Sequence, residues 1–289
     1  MIRLSAATVL LQWATGGLLF LWVTTRRREV GLGYGWLLRS VFGTLAAGAV
    51  VAGRMVDPDA LRDVSAALVA AGANVALAVS VVRRKAGVAG ERERRRRREE
   101  RVGAMVGRAG GGDGRAGGGD AAASAEFPPA VDLAAPVVGT IGLVAAAVAA
   151  GGPTLLAVVR TLVGAAFLGA VTDAMLLGHW YLVQPGLGRG PLFELNRWLT
   201  LLWPVEVGAL LWPTGMLSVL SGAVDDGWHG TLGWFWVACA STTIVLARVT
   251  HAALKERAYS AVMAATGLLY LAILTAFGTD LVARAVLAG

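Results

Sequence analysis

The sequence predicts an all-α fold: a polytopic membrane helix bundle of about eight transmembrane helices, with the N-terminus and the C-terminus on the outer side. Three observations predict it. Hydrophobic residues make up 56% of the 289 and mean hydropathy is +0.64, against about 45–50% apolar residues in soluble domains. The apolar residues fall into runs of about 20, the length that crosses a hydrocarbon core of about 30 Å. Arginine and lysine concentrate in alternate loops, which sets an orientation.

The runs can be taken in order. Residues 4–23 are preceded by Arg3 and followed by Arg26, Arg27 and Arg28, so their C-terminal end is expected in the cytoplasm. A cleaved signal peptide is the competing reading. The stronger charge after the run and the lack of an A-x-A site argue against it. Runs 35–54 and 64–82 are joined by an outer loop in which Asp57, Asp59 and Asp63 face Arg54 and Arg62. Five more runs follow at 132–150, 154–182, 196–222, 231–250 and 261–283. Gly151-Gly152 and Asp225-Asp226 fall outside, and Arg189, Arg197, Lys255 and Arg257 inside. Helix is the default, because lipid offers no partner to an open backbone group. The expected organisation is a three-helix membrane segment 1–82, a basic then Gly/Ala-rich cytoplasmic linker 83–131, largely disordered, and a five-helix membrane segment 132–289.

The linker holds most of the charge. Residues 83–126 carry twelve basic and seven acidic residues, five of the net seven positive charges. The isoelectric point near 10.4 therefore describes one loop, and nucleic acid is not the expected partner. ERERRRRREER (91–101) extends the third helix into the cytoplasm with Glu-Arg pairs at helical spacing. Its expected partners are anionic lipid head groups along residues 83–101, besides the lipid bilayer and other membrane proteins. GRAGGGDGRAGGGDAAASAEFPP, Gly- and Ala-rich, reads as a flexible spacer. RSVFGTLAAGAV (39–50) also matches RTLVGAAFLGAV (160–171) in an inverted-repeat register, on residue types common throughout the chain.

A lone cysteine, Cys239, excludes an internal disulfide and any multi-cysteine metal site. GxxxxGK[ST], HExxH and GxSxG are absent. No catalytic residue is assigned, and chemistry, if any, belongs in or at the bilayer.

Charges inside helices are costly and mark function or pairing, at about 2.5–3.5 kcal/mol each on insertion scales. Counting about 1.5 Å per residue from each run's centre puts Asp173, Glu206 and Arg248 roughly 7, 5 and 10 Å to the cytoplasmic side. Arg160 and Asp280 fall roughly 11–13 Å to the other. Asp173 is expected to pair with Arg248, and Arg160 with Asp280. Glu206, between Pro204 and Pro213 in LLWPVEVGALLWPTG (201–215), is left without a partner on a helix that prolines interrupt.

DAMLLGHWYLVQPG (173–186) ends one run on His179, Trp180 and Tyr181. His179 and His251 fall at the same cytoplasmic-side interface, the minimum for a b-type haem with two axial imidazoles or for a quinone head group. Interfacial anchoring is the plainer reading of both. The segment WHGTLGWFW (228–236) resembles the tryptophan-rich segment of cytochrome c assembly proteins that present haem on the outer membrane face. The resemblance spans nine residues and implies haem handling beside His229. The Asp that closes the segment in that family is Val237 here, and an aromatic belt accounts for the same residues.

Three functional classes remain open. One is an accessory or haem- or quinone-associated component of a membrane redox or cytochrome assembly system, using His179 and His251, with Glu206 as a further candidate. Another is a small-solute or proton-coupled transporter centred on Glu206 and Asp173. The third is a non-catalytic scaffold or assembly protein. The expected location is a bacterial cytoplasmic membrane.

Overall fold

Every regular element among the described residues is helical. The computed structural model describes residues 4–105, 126–184, 187–212, 215–256 and 258–288. The helices are α1 (Ala6–Thr25), α2 (Leu32–Val56), α3 (Ala60–Val82) and α4 (Arg84–Met105). After a 3-10 turn at Pro129–Leu133 come α5 (Ala134–Ala149), α6 (Thr154–Val183), α7 (Gly190–Leu211), the short α8 (Met216–Leu220), α9 (Thr231–Lys255) and α10 (Tyr259–Leu287). Among the described residues, seven stretches are long and apolar enough to cross a membrane: α1, α2, α3, the 3-10 turn with α5, α6, α9 and α10. The protein is a multi-pass helical membrane protein.

The expected sixth crossing at 196–222 is not one helix. α7 starts earlier, stops at Leu211, and is followed by α8. It is 22 residues long and carries Glu194, Arg197 and Glu206, so it is absent from the apolar set. Pro204 lies within it, and Pro213 follows its end in the sequence, where a residue without an N–H cannot extend the backbone ladder.

Of the linker, residues 84–105 form α4, set off from α3 by Arg83, which leaves the helical conformation. Helix from 91 to 101 is as expected, but α4 is a separate element and not a run-on of α3. The Gly/Ala-rich spacer at 106–125 lies outside the described residues.

α1 and α6 form the middle of the bundle. α2, α3 and α5 gather round α1, and α7, α9 and α10 gather on the other side of α6, with α9 and α10 packed along each other. α1 and α6 run parallel: Gln12 lies beside Gly164, and Gly16 beside Gly169. Their backbones touch there. A Cβ on Gly16 would collide with the Ala165 carbonyl, and one on Gly169 with the Gly16 backbone. Small residues at such crossings supply van der Waals contact where lipid gives no hydrophobic drive. α1, α2 and α3 thus share one core with α5, α6, α7, α9 and α10 (Leu11, Leu18, Phe42, Phe167, Leu195 and Leu269 among its members). A smaller core joins Leu210, Met216, Val219, Trp236, Ala283, Val286 and Leu287 at one end of α7.

Ion pairs fasten both ends. At the arginine-rich end, Arg39 makes a two-bond contact with Asp132 at 2.8 and 2.6 Å, with its guanidinium over the Phe127 ring at 4.5 Å. Arg28 pairs with Glu126 at 2.5 Å, and Glu194 takes both Arg26 and Arg27. These contacts draw the chain after the linker up against α1 and α2. Arg189 donates to the carbonyls of Leu254, Glu256 and Ala258, holding the turn between α9 and α10. At the other end, buried Arg62 gathers Asp63 at 2.9 Å and Asp57 at 3.3 Å. It also reaches the hydroxyls of Ser5 and Thr8.

Candidate functional site

The C-terminal end of α7, where Leu210 is buried and the capping Trp212 is exposed, decides the site. The carbonyl of residue 209 would normally accept the N–H of residue 213, which is proline and has none. Arg160 on α6 supplies the missing donor: its Nε donates to the Ala209 carbonyl at 2.8 Å, and Nη2 reaches the Trp212 carbonyl at 3.5 Å. A cation at a helix C-terminus also meets the negative end of the dipole. Arg160 is therefore not the partner of Asp280. The expected pairing fails because equal depth does not fix which way a side chain points round its helix.

Asp280 pairs instead with Arg284, one turn on, at 2.7 Å, and both are fully buried. Gln12 on α1 approaches the other Asp280 oxygen, with 3.5 Å between its Nε2 and Oδ1. Space for this comes from Gly164, where a Cβ would lie 2.7 Å from Asp280 Oδ1 and collide with Gln12 Nε2.

Glu206 completes the cluster. It is fully buried, and Asp280, Arg284 and Arg160 are the charged groups that act on it. Among the described residues neither of its oxygens meets a donor, and Arg284 Nη2 and Gln12 Oε1 are also unpartnered. The Glu206 and Asp280 carboxyls are close enough to hydrogen-bond once one of them carries a proton. The partnerless Glu206 of the sequence reading thus stands in a group of charges. Its expected depth was wrong because the helix centre was taken from 196–222. Counted from the observed helix, Glu206 lies about 8 Å beyond the centre, toward α7's C-terminal end. The smaller core, with Met216, Val219, Trp236 and Val286, lies over that end.

The site therefore draws on α1, α6, α7 and α10. Two carboxyls and two guanidiniums balance in charge, while several donors and acceptors stay unmatched. Buried polar groups are ordinarily satisfied, and leaving one unmade costs about 1–3 kcal/mol. Such a group persists where function needs it.

No known protein family, curated protein or solved structure matches the chain. The chemistry of the site must be read from the residues themselves.

The remaining candidates are dispersed. Asp173 is fully buried, and neither carboxyl oxygen has a partner among the described residues. Arg248 is exposed on α9, so the expected Asp173–Arg248 pair does not form. Around Asp173, Tyr34 donates to its backbone carbonyl at 3.2 Å, and Trp13 donates to the neighbouring Thr172 hydroxyl at 2.9 Å. His179 is exposed on α6 and contacts Tyr270 of α10 at 3.2 Å through Nδ1. His251 on α9 packs edge-on against Phe193 of α7. The two histidines meet different neighbours, and α6 and α9 are not packed against each other. His229 is exposed, with positive φ, just before α9. Arg39 and Arg160, matched in the repeat register, hold unrelated partners.

Sequence reasoning missed Gln12 and Arg284. Arg284 lies just past the last apolar run, 261–283, and so outside the search for charges within helices. Its i, i+4 spacing from Asp280 was the available signal.

Proposed function

We propose that the protein is a proton-coupled transporter of small solutes, with Glu206 and Asp280 as its proton-binding pair. The observation that carries this reading is Glu206: a fully buried carboxyl without a donor among the described residues, set beside a second carboxyl and two arginines near the C-terminal end of α7. One proton held between the two carboxyls satisfies both. Its departure leaves Arg284 and Arg160 to balance the charge. Interrupted helices at membrane depth commonly line substrate sites, and proton relays use intramembrane acids in this way. With the arginine-rich end taken as cytoplasmic, the smaller core closes the cluster from outside. Release there requires α8 to shift. Gathered polar groups support this reading over the one centred on His179 and His251, whose imidazoles have separate surroundings.

Proteoliposomes loaded with a pH-sensitive dye provide the test. The wild-type protein is expected to move protons across the bilayer, alone or on addition of members of a small-solute panel. Glu206→Gln, which keeps size and polarity, is expected to abolish the movement while leaving thermal stability near wild type. Absence of proton movement by the wild-type protein across the whole panel, or unchanged movement in Glu206→Gln, overturns the proposal.

A further inference from the structure

A second site lies between α7 and α9 at the arginine-rich end. A pocket of about 400 Å³ opens there, lined by Arg197, Thr200, Arg248, His251, Ala252 and Lys255. The spacing explains the convergence. On α9, positions 248, 251 and 255 share one face, as do 197 and 200 on α7. Two bonds hold the helices in this register: Asn196 to the Ala247 carbonyl at 3.0 Å and Trp203 to the Ala240 carbonyl at 2.8 Å.

Arg197, Arg248 and Lys255 are exposed and form no ion pair or hydrogen bond among the described residues. The nearest acid along α7, Glu194, is taken by Arg26 and Arg27. Most other basic residues at this end that the structure describes have partners: Arg28 binds Glu126, Arg39 binds Asp132, and Arg189 binds three carbonyls. Three cations facing one cavity form a built anion site, with the His251 ring as a further donor; the Thr200 hydroxyl is spent on the Asn196 carbonyl at 2.8 Å.

The surroundings favour a lipid over a free anion. One turn deeper on each helix, Leu201 follows Arg197 and Val245 precedes Arg248. Both side chains are exposed, at 53% and 56%, as are Trp198 and Val249. A molecule with its phosphate among the cations would run its acyl chains along this apolar strip. Basic pockets between transmembrane helices hold acidic head groups in this manner.

We infer that the α7–α9 pocket binds the phosphate head group of an anionic phospholipid, with a two-phosphate head group matching the three cations best. The site is separate from the arginine tract of α4 and independent of the proton-coupled reading.

The test is lipid retention by the full-length protein in native mass spectrometry, after mixing with micelles of diphosphatidylglycerol, phosphatidylglycerol or phosphatidylcholine. One diphosphatidylglycerol is expected to stay bound longest, phosphatidylglycerol less long and phosphatidylcholine not at all. Arg197→Gln with Arg248→Gln is expected to weaken retention roughly thirtyfold, on the usual contribution of two cations near a phosphate surface. Arg84→Gln with Lys85→Gln removes the same charge at the same end and should change it little. Equal losses in the two double variants, or equal thermal stabilisation by inorganic phosphate alone, overturns the inference. If the pocket variant fails to fold, a phospholipid with a photoreactive head group decides on the wild-type protein. Adducts within 193–200 and 248–255 support the site, and adducts elsewhere only overturn it.

Discussion

The Arg160 guanidinium fills a hydrogen bond that proline leaves open, donating to the Ala209 carbonyl at 2.8 Å from a neighbouring helix. The contact is a repair between helices. Replacing Arg160 by Met should cost about 1–3 kcal/mol, the usual penalty for a stranded buried acceptor. Pro213→Ala returns an N–H at the right spacing, so Arg160→Met should cost less in that background. Thermal unfolding of the four proteins in detergent measures the coupling. Identical penalties in both backgrounds would refute the repair.

The Arg39–Asp132 pair predicts a different pattern. Both side chains are almost fully buried, at 4% and 1% exposure. Removing either partner leaves an unpaired charge, which costs about 3–5 kcal/mol. Arg39→Leu and Asp132→Leu should each lower the unfolding temperature strongly, and the double replacement should be milder than either alone. A strictly additive double variant would count against the pair as a charge-compensating unit.

The α1–α6 crossing leaves no room for growth. Gly169→Ala should destabilise the bundle by about 1–3 kcal/mol, the usual cost of overpacking, and Gly169→Val by more. Monodisperse yield on size exclusion and the heat-aggregation midpoint report this. Gly208, where an added Cβ meets nothing within 4 Å, serves as the comparison, and equal sensitivity at both positions would contradict the crossing.

Asp226 supplies a pH dependence outside the bilayer. Burial alone would push its carboxyl up. The backbone N–H groups of Gly230, Trp228, Gly233 and Leu232 outweigh that and hold it below the ordinary aspartate value. A depressed carboxyl contributes stability that is present above its unfolded value, about 3.9, and lost as pH falls through the lower folded value. Wild type should therefore exceed Asp226→Asn in unfolding temperature near neutrality, and the gap should close below about pH 4. A gap that persists in acid would show that the carboxylate's charge is not what organises the start of α9.

How much of this was legible depends on the kind of question asked. Run length located seven of the eight expected crossings, because it is a one-dimensional property of the chain. Helix rotation is not: Arg160 and Asp280, like Asp173 and Arg248, were matched on depth alone, and in each case a side chain faces elsewhere. Glu206 stood out as an acid between two prolines, but its neighbours could not be found while α7 was read through Pro213 to residue 222. Gln12 carried no charge to draw attention, and its role follows only from the close approach at Gly164. The pocket between α7 and α9 was hidden for a related reason. Arg197 and Lys255 read as topology signals and Arg248 as a partner for Asp173, and only packing shows the three facing one space.

The contact between Gln12 and Asp280 joins residues 268 apart in the chain, and this separation has a consequence for biosynthesis. At about 5–20 residues per second, Gln12 is made roughly 15–50 s before its partner. For that interval α1 holds a fully polar amide and a glycine-lined groove with nothing to close them. Its settling into the membrane is therefore provisional until the last helix arrives, and a nascent chain stalled before residue 280 should leave α1 open to proteases and quality-control factors that ignore it in the finished protein.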